Sequence, residues 1–390
     1  MPFALFLLGV AVFAQGTSEF MLSGLMPDIA RELGVSVGDA GLLTSGFAVG
    51  MVVGAPLMAG FARRWPWRRA LLGFLGVFLC VHVVGAMTGS FPVLLGTRVV
   101  GALANAGFLA VALVAAVGMV APDAKGRATS TLLGGVTLAC VVGVPAGALL
   151  GQAWGWRSAF WAVAVLSVPA VVEVRSVPDG GAELERPAHS LHGELRALRE
   201  PRLLVLLLLG ALVNGATFCT FTYLAPLVTN VTGLGGSWVP VVLALFGLGA
   251  FAGVRVAGRF ADGRPGLITG AGGCALCLGW GALALGAGEP VLAFGLVLAL
   301  GALSFGVGST LISQALYAAP GAPTLAGGFA TAAFNVGAAC GPWLGGAAID
   351  SGGGYRSPVW VSAGLVAVAL VAVPLNRRAL RGRTTASWTV

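Results

Sequence analysis

Two charged side chains, Glu19 and Arg98, stand inside long apolar segments of this 390-residue sequence. At the centre of a bilayer an ionised carboxylate costs about 2.5–3.5 kcal/mol, so Glu19 is expected to face protein or water rather than lipid. Two interpretations follow. Glu19 is either a protonated carboxyl that is satisfied structurally, or a group that binds a proton or a substrate.

The depths predicted for Glu19 and Arg98 are similar. Each stands about six residues from the outer end of its predicted helix, or about 9 Å deep at about 1.5 Å per residue. A shared depth permits a charge pair whose strength changes when Glu19 is protonated. We hypothesise that such a pair couples proton arrival to a rearrangement of the helices.

Neutral side chains complete a candidate substrate site. Gln15 precedes Glu19 by four residues and so shares its helix face, while Asn105 lies two turns from Arg98 on its own face. The second half of the chain offers aromatic and neutral polar groups that suit an uncharged amphipathic ligand: Thr217, Tyr223, Phe334 and Asn335. Simple packing is the alternative for each of these four.

The remaining titratable side chains in apolar segments indicate no metal site and no cofactor. His82 is either a proton relay or a hydrogen-bonded interior imidazole. All six cysteines fall within predicted spans, where they are expected to pack as small apolar residues. Cys274 and Cys277 have no histidine or carboxylate near them in the sequence, which disfavours a metal site there.

The elements that must hold these residues are membrane-spanning helices. The sequence is 57% hydrophobic and 9% charged, whereas soluble domains are about 25% charged, which excludes a soluble fold. Continuous apolar runs of roughly 20 residues predict helices rather than barrel strands, so the fold class is all-α. We predict twelve spans, at about residues 4–25, 40–62, 70–88, 92–120, 129–152, 158–174, 203–229, 238–257, 266–286, 291–316, 325–349 and 359–375.

The charge distribution predicts a multi-pass protein of the cell membrane with both termini in the cytoplasm. The net charge is +8, and the basic residues concentrate in one set of loops, as the positive-inside rule requires. This topology explains the charge better than nucleic-acid binding does. The first span lacks a basic leader and is predicted to be retained.

The two halves of the sequence repeat one pattern. Gly60 and Gly258 each precede a basic loop, and Gly143 and Gly341 each lie in a Gly-Pro-rich segment; both pairs are 198 residues apart. This predicts two pseudo-symmetric six-helix bundles, residues 1–174 and 203–390, joined by a cytoplasmic linker at 175–202. Within the linker, Ser190 to Glu200 is either an amphipathic helix on the membrane or a solvated segment.

Several motifs carry a resemblance to a known family. GFARRWPWRR keeps the glycine and the basic pair of a loop motif, but Arg64 stands where an aspartate is expected, and GRFADGRPG matches in the second half. TRVVGALANAG resembles a motif with one buried arginine, and GGVTLACVVGVPAGALLGQ resembles an antiporter motif that bends a helix. The conformational motif residues are Gly60, Arg68, Arg69, Gly143, Pro145, Gly147, Gly258, Asp262, Arg264, Gly341 and Pro342.

With these motifs the sequence resembles the major facilitator superfamily over its whole length, and within it the twelve-span drug and proton antiporters. The opening segment FAQGTSEFMLSGLMPDIARELGVS resembles actinomycete chloramphenicol-resistance exporters. The resemblance implies export of chloramphenicol, or a similar amphipathic antibiotic, in exchange for protons by alternating access. It implies that Arg98 lies near the proton pathway, which agrees with the proton role hypothesised above for Glu19 and Arg98, and we expect the chain to work as a monomer.

Other functions remain as alternatives or are disfavoured. Export of sugars, metabolites or a broad set of drugs is the nearest alternative, and a membrane sensor without transport is an alternative of another class. An enzyme is not predicted, because only Glu19, Arg98 and His82 could form a catalytic site at depth. The single lysine, Lys125, stands outside any phosphate-binding loop motif, which argues against an ATP-driven pump.

Overall fold

A computed structural model describes most of the chain as helices. Within the described residues there is no β-strand, which confirms the predicted all-α fold class. The described residues are 3–62, 66–120, 125–176, 200–260, 265–318 and 323–375.

The first half contains eight α-helices and a π-helical turn. A continuous rod is formed by α6, the π turn Ala139–Gly143 and α7. The helices are α1 Phe3–Phe20, α2 Leu22–Leu33, α3 Val37–Ala62, α4 Trp67–Met87, α5 Phe91–Gly118, α6 Lys125–Leu138, α7 Val144–Trp154 and α8 Arg157–Ser176.

The second half repeats this order with a continuous helix in place of α6 and α7. A 3₁₀ turn, Gly236–Trp238, precedes α11, and a π turn, Ile349–Gly353, follows α14. The helices are α9 Pro201–Thr222, α10 Leu224–Asn230, α11 Val239–Phe260, α12 Pro265–Gly286, α13 Pro290–Ala318, α14 Pro323–Ala348 and α15 Ser357–Leu375.

These helices form twelve rods in the described part of the chain, six in each half, as predicted. Nine are long and apolar enough to cross a membrane, and α1 with α2 makes a tenth if this bent pair is one span. The other two predicted spans correspond to α8, whose apolar stretch Arg157–Val172 is shorter, and to α14. The 26 residues of α14 would extend about 39 Å, which is enough to cross the bilayer.

The first rod of each half is broken, which the predicted spans did not anticipate. The first span was predicted to end near residue 25, but α1 ends at Phe20, the axis bends by 51°, and α2 continues to Leu33. The seventh rod breaks at Tyr223. A proline follows each break. The Pro226 ring would clash with the Thr222 carbonyl beside the break at Tyr223, which accounts for that break, whereas Pro27 lies six residues after Met21, inside α2.

Close helix contacts reproduce the sequence repeat in three dimensions. A Cβ atom at Gly143 would overlap the Thr17 hydroxyl, and one at Gly341 would overlap the Gly215 carbonyl. Both members of the second pair stand 198 residues after those of the first. Equivalent rods therefore pack at equivalent positions, as expected for a duplicated unit. The exact domain boundaries stay predictions, because linker residues 177–199 lie outside the described residues.

The packing of α11 on α13 depends on a glycine, and its replacement should destabilise the protein. A Cβ at Gly249 would overlap the Leu298 carbonyl, which is backbone and cannot rotate away. We expect Gly249→Val to lower the free energy of unfolding by about 1–3 kcal/mol, seen as a lower melting temperature in detergent. Gly295→Val on α13 is the matched control, since a Cβ there meets nothing within 4 Å. Equal melting temperatures for the two variants would contradict the prediction.

The two halves meet along two seams, α3 against α14 and α7 against α11. Ser45 Oγ on α3 donates to the Ala339 carbonyl on α14 at 2.7 Å. Ser36 Oγ donates to Asp350 Oδ2 at 3.2 Å near the end of the same seam. We call this end of the molecule, where Ser36, Asp350 and Arg157 lie, the Arg157 end.

Candidate functional site

Arg98 is the centre of a buried polar cluster in the first half. It is 2% exposed. Its Nη1 donates to Ser18 Oγ and its Nη2 to the Ser18 carbonyl, both at 2.8 Å. Its Cζ lies 4.4 Å from the centroid of the Phe47 ring. Helix α5 therefore contacts α1 at the residue next to Glu19, which agrees with the predicted shared depth.

Glu19 is partly buried and is not paired with Arg98. In the described part of the chain, the ion pairs join Arg31 to Asp28 and Arg157 to Glu32. Arg98 interacts with Glu19 electrostatically but donates its hydrogen bonds to Ser18. The direct charge pair hypothesised from the sequence is therefore absent from this arrangement, and the coupling itself stays a prediction.

Gln15 and Asn105 are both buried in the first half, at 1% and 5% exposure. Neither amide atom of Gln15 has a hydrogen-bond partner. Asn105 Nδ2 lies 3.5 Å from the Met51 sulfur, a weak acceptor. Leaving a buried polar atom without a partner costs about 1–3 kcal/mol, so Gln15 has the capacity to bind a further polar group.

Five phenylalanine rings form one cluster where the two halves meet, which we call the aromatic cluster. Phe20 follows Glu19 on α1 and lies 5.7 Å from Phe218 and 6.5 Å from Phe221 between ring centroids. Phe221 lies 4.8 Å from Phe246, which in turn lies 6.2 Å from Phe305. These rings present a continuous apolar surface that joins α1 of the first half to helices of the second half.

The aromatic cluster surrounds a cavity that is nearly filled. Cys140 and Thr217 complete its wall. Its volume is about 10 Å³, which is space for about one water molecule. A drug-sized ligand needs a pocket of about 300 Å³ or more. The phenylalanine side chains or their helices must therefore move before such a ligand can bind between them.

The side chains predicted to bind substrate from the second half do not lie together. Thr217 lines the aromatic cavity and donates its hydroxyl to the Val213 carbonyl. The Phe334 ring packs against Gly210 and Gly308 within the second half. Asn335 donates to the Thr331 carbonyl one turn earlier on its own helix. Thr217 is thus the one of these residues that contacts the aromatic cavity in this arrangement.

Tyr223, the fourth of these residues, lies in the seam between the halves rather than in the aromatic cavity. Its hydroxyl donates to the Pro342 carbonyl at 2.7 Å and lies 3.4 Å from the Gly38 carbonyl of α3. Gly41 and Gly346 leave the space that this hydroxyl occupies. Tyr223 therefore helps to close the two halves against each other near the Arg157 end.

A larger cavity of about 750 Å³ opens at the Arg157 end. It lies between the halves and is lined by both apolar and charged residues, including Pro27, Arg31, Glu32, Trp156 and Thr229. Glu32 accepts hydrogen bonds from Trp156 Nε1, at 2.7 Å, and from Arg157 Nη1. This cavity is large enough for a drug-sized molecule.

The loop motif residues are only partly described. Arg68 Nε donates to the Val174 carbonyl at 3.0 Å, which ties the start of α4 to the end of α8, and Arg69 is exposed. Gly60 lies on α3 and Gly258 on α11, where a Cβ at Gly258 would meet nothing within 4 Å. The residues of this motif outside the described part are Arg64, Asp262 and Arg264.

The helix-bending motif coincides with irregular or closely packed helix. Gly143 ends the π turn and Pro145 stands in the first turn of α7. Gly147 approaches Met21, whose Cβ would lie 3.2 Å from an added Cβ. In the second half Pro342 lies inside α14, and Gly341 packs on α9.

The aromatic cluster and Ser18 were not predicted from the sequence. Phenylalanine in a membrane helix is ordinary, so its residue type alone indicates nothing. The repeat did contain a signal, because Phe20 and Phe218 stand 198 residues apart and Phe221 lies one turn beyond Phe218. Among the described residues, no group of His, Cys, Asp and Glu could hold a metal ion.

Comparisons with known proteins cover almost the whole chain. A family model described as Major Facilitator Superfamily matches residues 8–323. A chloramphenicol resistance protein of Streptomyces lividans is 56% identical over 379 residues, 96% of this chain and 97% of that protein. The inner membrane transport protein YdhP of Escherichia coli strain K12 is 34% identical over 96% of both chains. A solved bacterial homolog of the human lysosomal transporter Spinster, inward-facing and unoccupied, gives a TM-score of 0.80 at 18% identity and covers 98% of both chains.

Proposed function

The chain belongs to the major facilitator superfamily of membrane transporters, and from this premise we propose that it exports chloramphenicol, or a similar amphipathic antibiotic, in exchange for protons. The observation that carries the proposal is the aromatic cluster, which lies between the two halves and includes Phe20, the residue after the unpaired Glu19. The name of the Streptomyces lividans relative, a chloramphenicol resistance protein, supports this choice of substrate.

The chemistry of the site suits such a substrate. Chloramphenicol is uncharged and carries a nitrophenyl ring, an amide and two hydroxyls. In the proposed complex its ring packs among Phe20, Phe221 and Phe246, since aromatic pairs add about 0.5–1.5 kcal/mol beyond burial. Its polar groups bind the free amide of Gln15 and the hydroxyl of Thr217, with Asn105 deeper in the first half. The Phe334 ring packs against Gly210 of α9 and does not contact the drug. Asn335 and Tyr223 can contact the drug only if their helices move.

Proton exchange is assigned to Glu19, with Arg98 as its electrostatic partner. An unpaired carboxyl can alternate between protonated and ionised forms as the site opens to each side of the membrane. One proton that re-enters across about 150 mV yields roughly 3.5 kcal/mol. That energy supports a gradient of about 300-fold for a neutral drug. One proton per drug is therefore enough for resistance.

We further propose that the Arg157 end faces the outside of the cell membrane and that both termini are cytoplasmic. The seam between α3 and α14, with the contact of Tyr223 to Gly38, then closes the outer side. The cavity of about 750 Å³ is the outer vestibule. Rocking of the halves would open this seam and let the drug leave. One chain supplies both walls of the aromatic cavity, so the proposed working unit is a monomer.

Expression in a susceptible, efflux-deficient bacterium tests the substrate. We expect the chain to raise the concentration of chloramphenicol that inhibits growth, and to leave inhibition by a bulky cationic dye unchanged. Equal protection against both compounds would indicate a broad multidrug exporter. No protection, with the protein present in the membrane, would exclude chloramphenicol export and direct attention to sugars, metabolites or a sensor role.

Truncation of one cluster ring should weaken drug binding. Phe221 lies within the cluster, in contact with Phe20, Phe218 and Phe246. We expect Phe221→Ala to raise the KM for chloramphenicol about tenfold, because in the proposed complex it removes about 1.4 kcal/mol of aromatic contact with the drug. Initial rates of uptake into inverted membrane vesicles measure the KM. Phe260→Ala is the control, since Phe260 is 53% exposed at the end of α11. An unchanged KM in Phe221→Ala would remove the aromatic cluster from the site.

A further inference from the structure

Ser18 and His82, to which the proposed antiport assigns no role, form one hydrogen-bonded chain with Arg98. Ser18 Oγ lies 2.7 Å from His82 Nε2 and accepts a hydrogen bond from Arg98 Nη1. His82 Nδ1 lies 2.7 Å from the Phe78 carbonyl. Ser18 and His82 are buried, at 0% and 3% exposure. The chain thus links α5, α1 and α4 through side chains that water does not reach.

The chemistry of the partners determines where the hydrogens lie. A carbonyl can only accept, so His82 Nδ1 carries a hydrogen and donates to Phe78. Arginine can only donate, so Ser18 Oγ accepts from Arg98. His82 is buried near the charged Arg98, which disfavours a second positive charge on its ring. In the neutral ring with a hydrogen on Nδ1, Nε2 has none and accepts from the Ser18 hydroxyl. Every bond runs in one direction, from Arg98 through Ser18 and His82 to Phe78.

Two further features describe how Arg98 is held. One is its second hydrogen bond to Ser18, and the other is its Nε, which has no hydrogen-bond partner. Helix α1 ends at Phe20, and carbonyls in the last turn of a helix lack helical donors, which leaves the Ser18 carbonyl free to accept from Arg98 Nη2. Arg98 Nε has no partner although it is buried. The guanidinium therefore retains an unused donor while both of its terminal nitrogens bind the residue next to Glu19.

We infer that Ser18 and His82 are positioning residues that hold Arg98 beside Glu19 and prevent the two charges from pairing. This inference rests on the proposed proton antiport. An ion pair with Arg98 would favour the ionised carboxylate and oppose its protonation. With Arg98 bonded to Ser18, Glu19 stays free to take up and release a proton. Loss of the Ser18–His82 bond frees Arg98 to move onto Glu19.

The groups that act on Glu19 and Arg98 come from each packed element. Arg98 on α5 lies near Glu19 on α1 and near His82 on α4, and Cys140 of the π turn lies near Glu19. The facing side chains of α8 and α9 are aromatic, Phe160 beside His82 and Phe218 beside Phe20. Arg98 is thus the charge whose position the Ser18–His82 bond can control.

Purified protein in liposomes tests the inference with two transport assays. One measures chloramphenicol transport driven by a pH gradient. The other measures exchange of labelled for unlabelled chloramphenicol without a gradient, which needs binding and alternation but no net proton movement. We expect His82→Leu and Ser18→Ala to slow pH-driven transport about tenfold while exchange is retained, since each removes the buried Ser18–His82 hydrogen bond. His82→Gln, whose amide oxygen can accept from Ser18, should restore most of the pH-driven rate.

Thr97→Val is the matched control, because the buried Thr97 hydroxyl donates only within its own helix, to Leu94. If His82→Leu and His82→Gln both lose pH-driven transport and drug exchange to the same extent, the role of His82 is purely structural and the inference is overturned. So would full pH-driven transport in both His82→Leu and Ser18→Ala. If the unchanged protein exchanges drug but shows no pH-driven transport, the proton antiport fails, and the inference fails with it.

Discussion

Replacing Glu19 by glutamine is expected to abolish chloramphenicol transport driven by a pH gradient and to leave drug exchange intact. Glutamine has nearly the same shape as glutamate but cannot bind and release a proton at this position. The drug gradient should fall from about 300-fold at a driving force of about 150 mV to about one. Liposomes that contain purified protein and receive a pH jump provide the measurement.

Glu289→Gln is the control for this variant, since Glu289 is exposed between α12 and α13 and contacts no part of the site. Arg98→Ala should also lose pH-driven transport, because it removes the electrostatic partner of Glu19. Undiminished pH-driven transport by Glu19→Gln would show that another group carries the proton. Loss of exchange together with pH-driven transport would show instead that Glu19 is needed for binding or folding.

The sequence predicted the number and order of the helical rods because a bilayer constrains both. Each crossing needs a long apolar helix, and a soluble protein has no such requirement. The repeat was readable because close helix contacts need glycine, so Gly143 and Gly341 kept their spacing with their partners Thr17 and Gly215. Where the helices bend was less predictable. Pro27 marks the break at Met21 but lies inside α2, not at its end.

Side-chain partners could not be predicted from depth alone. Glu19 and Arg98 were placed at one depth, but depth does not specify which way a side chain rotates. Arg98 instead bonds Ser18, whose carbonyl is free because α1 ends two residues later. The hydrogen bonds of Ser45 and Tyr223 in the seam between α3 and α14 could not be predicted from the sequence. Both hydroxyls donate to backbone carbonyls, which every residue possesses.

The second large effect is expected from a single glycine in that seam. Gly41 on α3 faces Tyr223 across the two halves, and a Cβ at Gly41 would overlap the Tyr223 hydroxyl. That hydroxyl is buried and bonded to Pro342, with Gly346 close behind it, so it has little space to move. Gly41→Val should therefore oppose closure of the halves. An overpacking cost of about 1–3 kcal/mol shifts the equilibrium between closed and open seam by about 5- to 150-fold.

A cysteine at Ser45 reports on this equilibrium, because Ser45 is buried in the seam beside Ala339. In a chain whose six native cysteines are replaced, we expect Gly41→Val to speed labelling of that cysteine by a membrane-impermeant maleimide added outside intact cells. Chloramphenicol export should slow in parallel, since the drug site can no longer return easily to the cytoplasmic side. Gly96→Val, where a Cβ meets nothing within 4 Å, should change neither rate. If Gly41→Val shows unchanged labelling and full export, the contact between Gly41 and Tyr223 does not control opening of the seam between α3 and α14. Tyr223 would then only fill space between these helices.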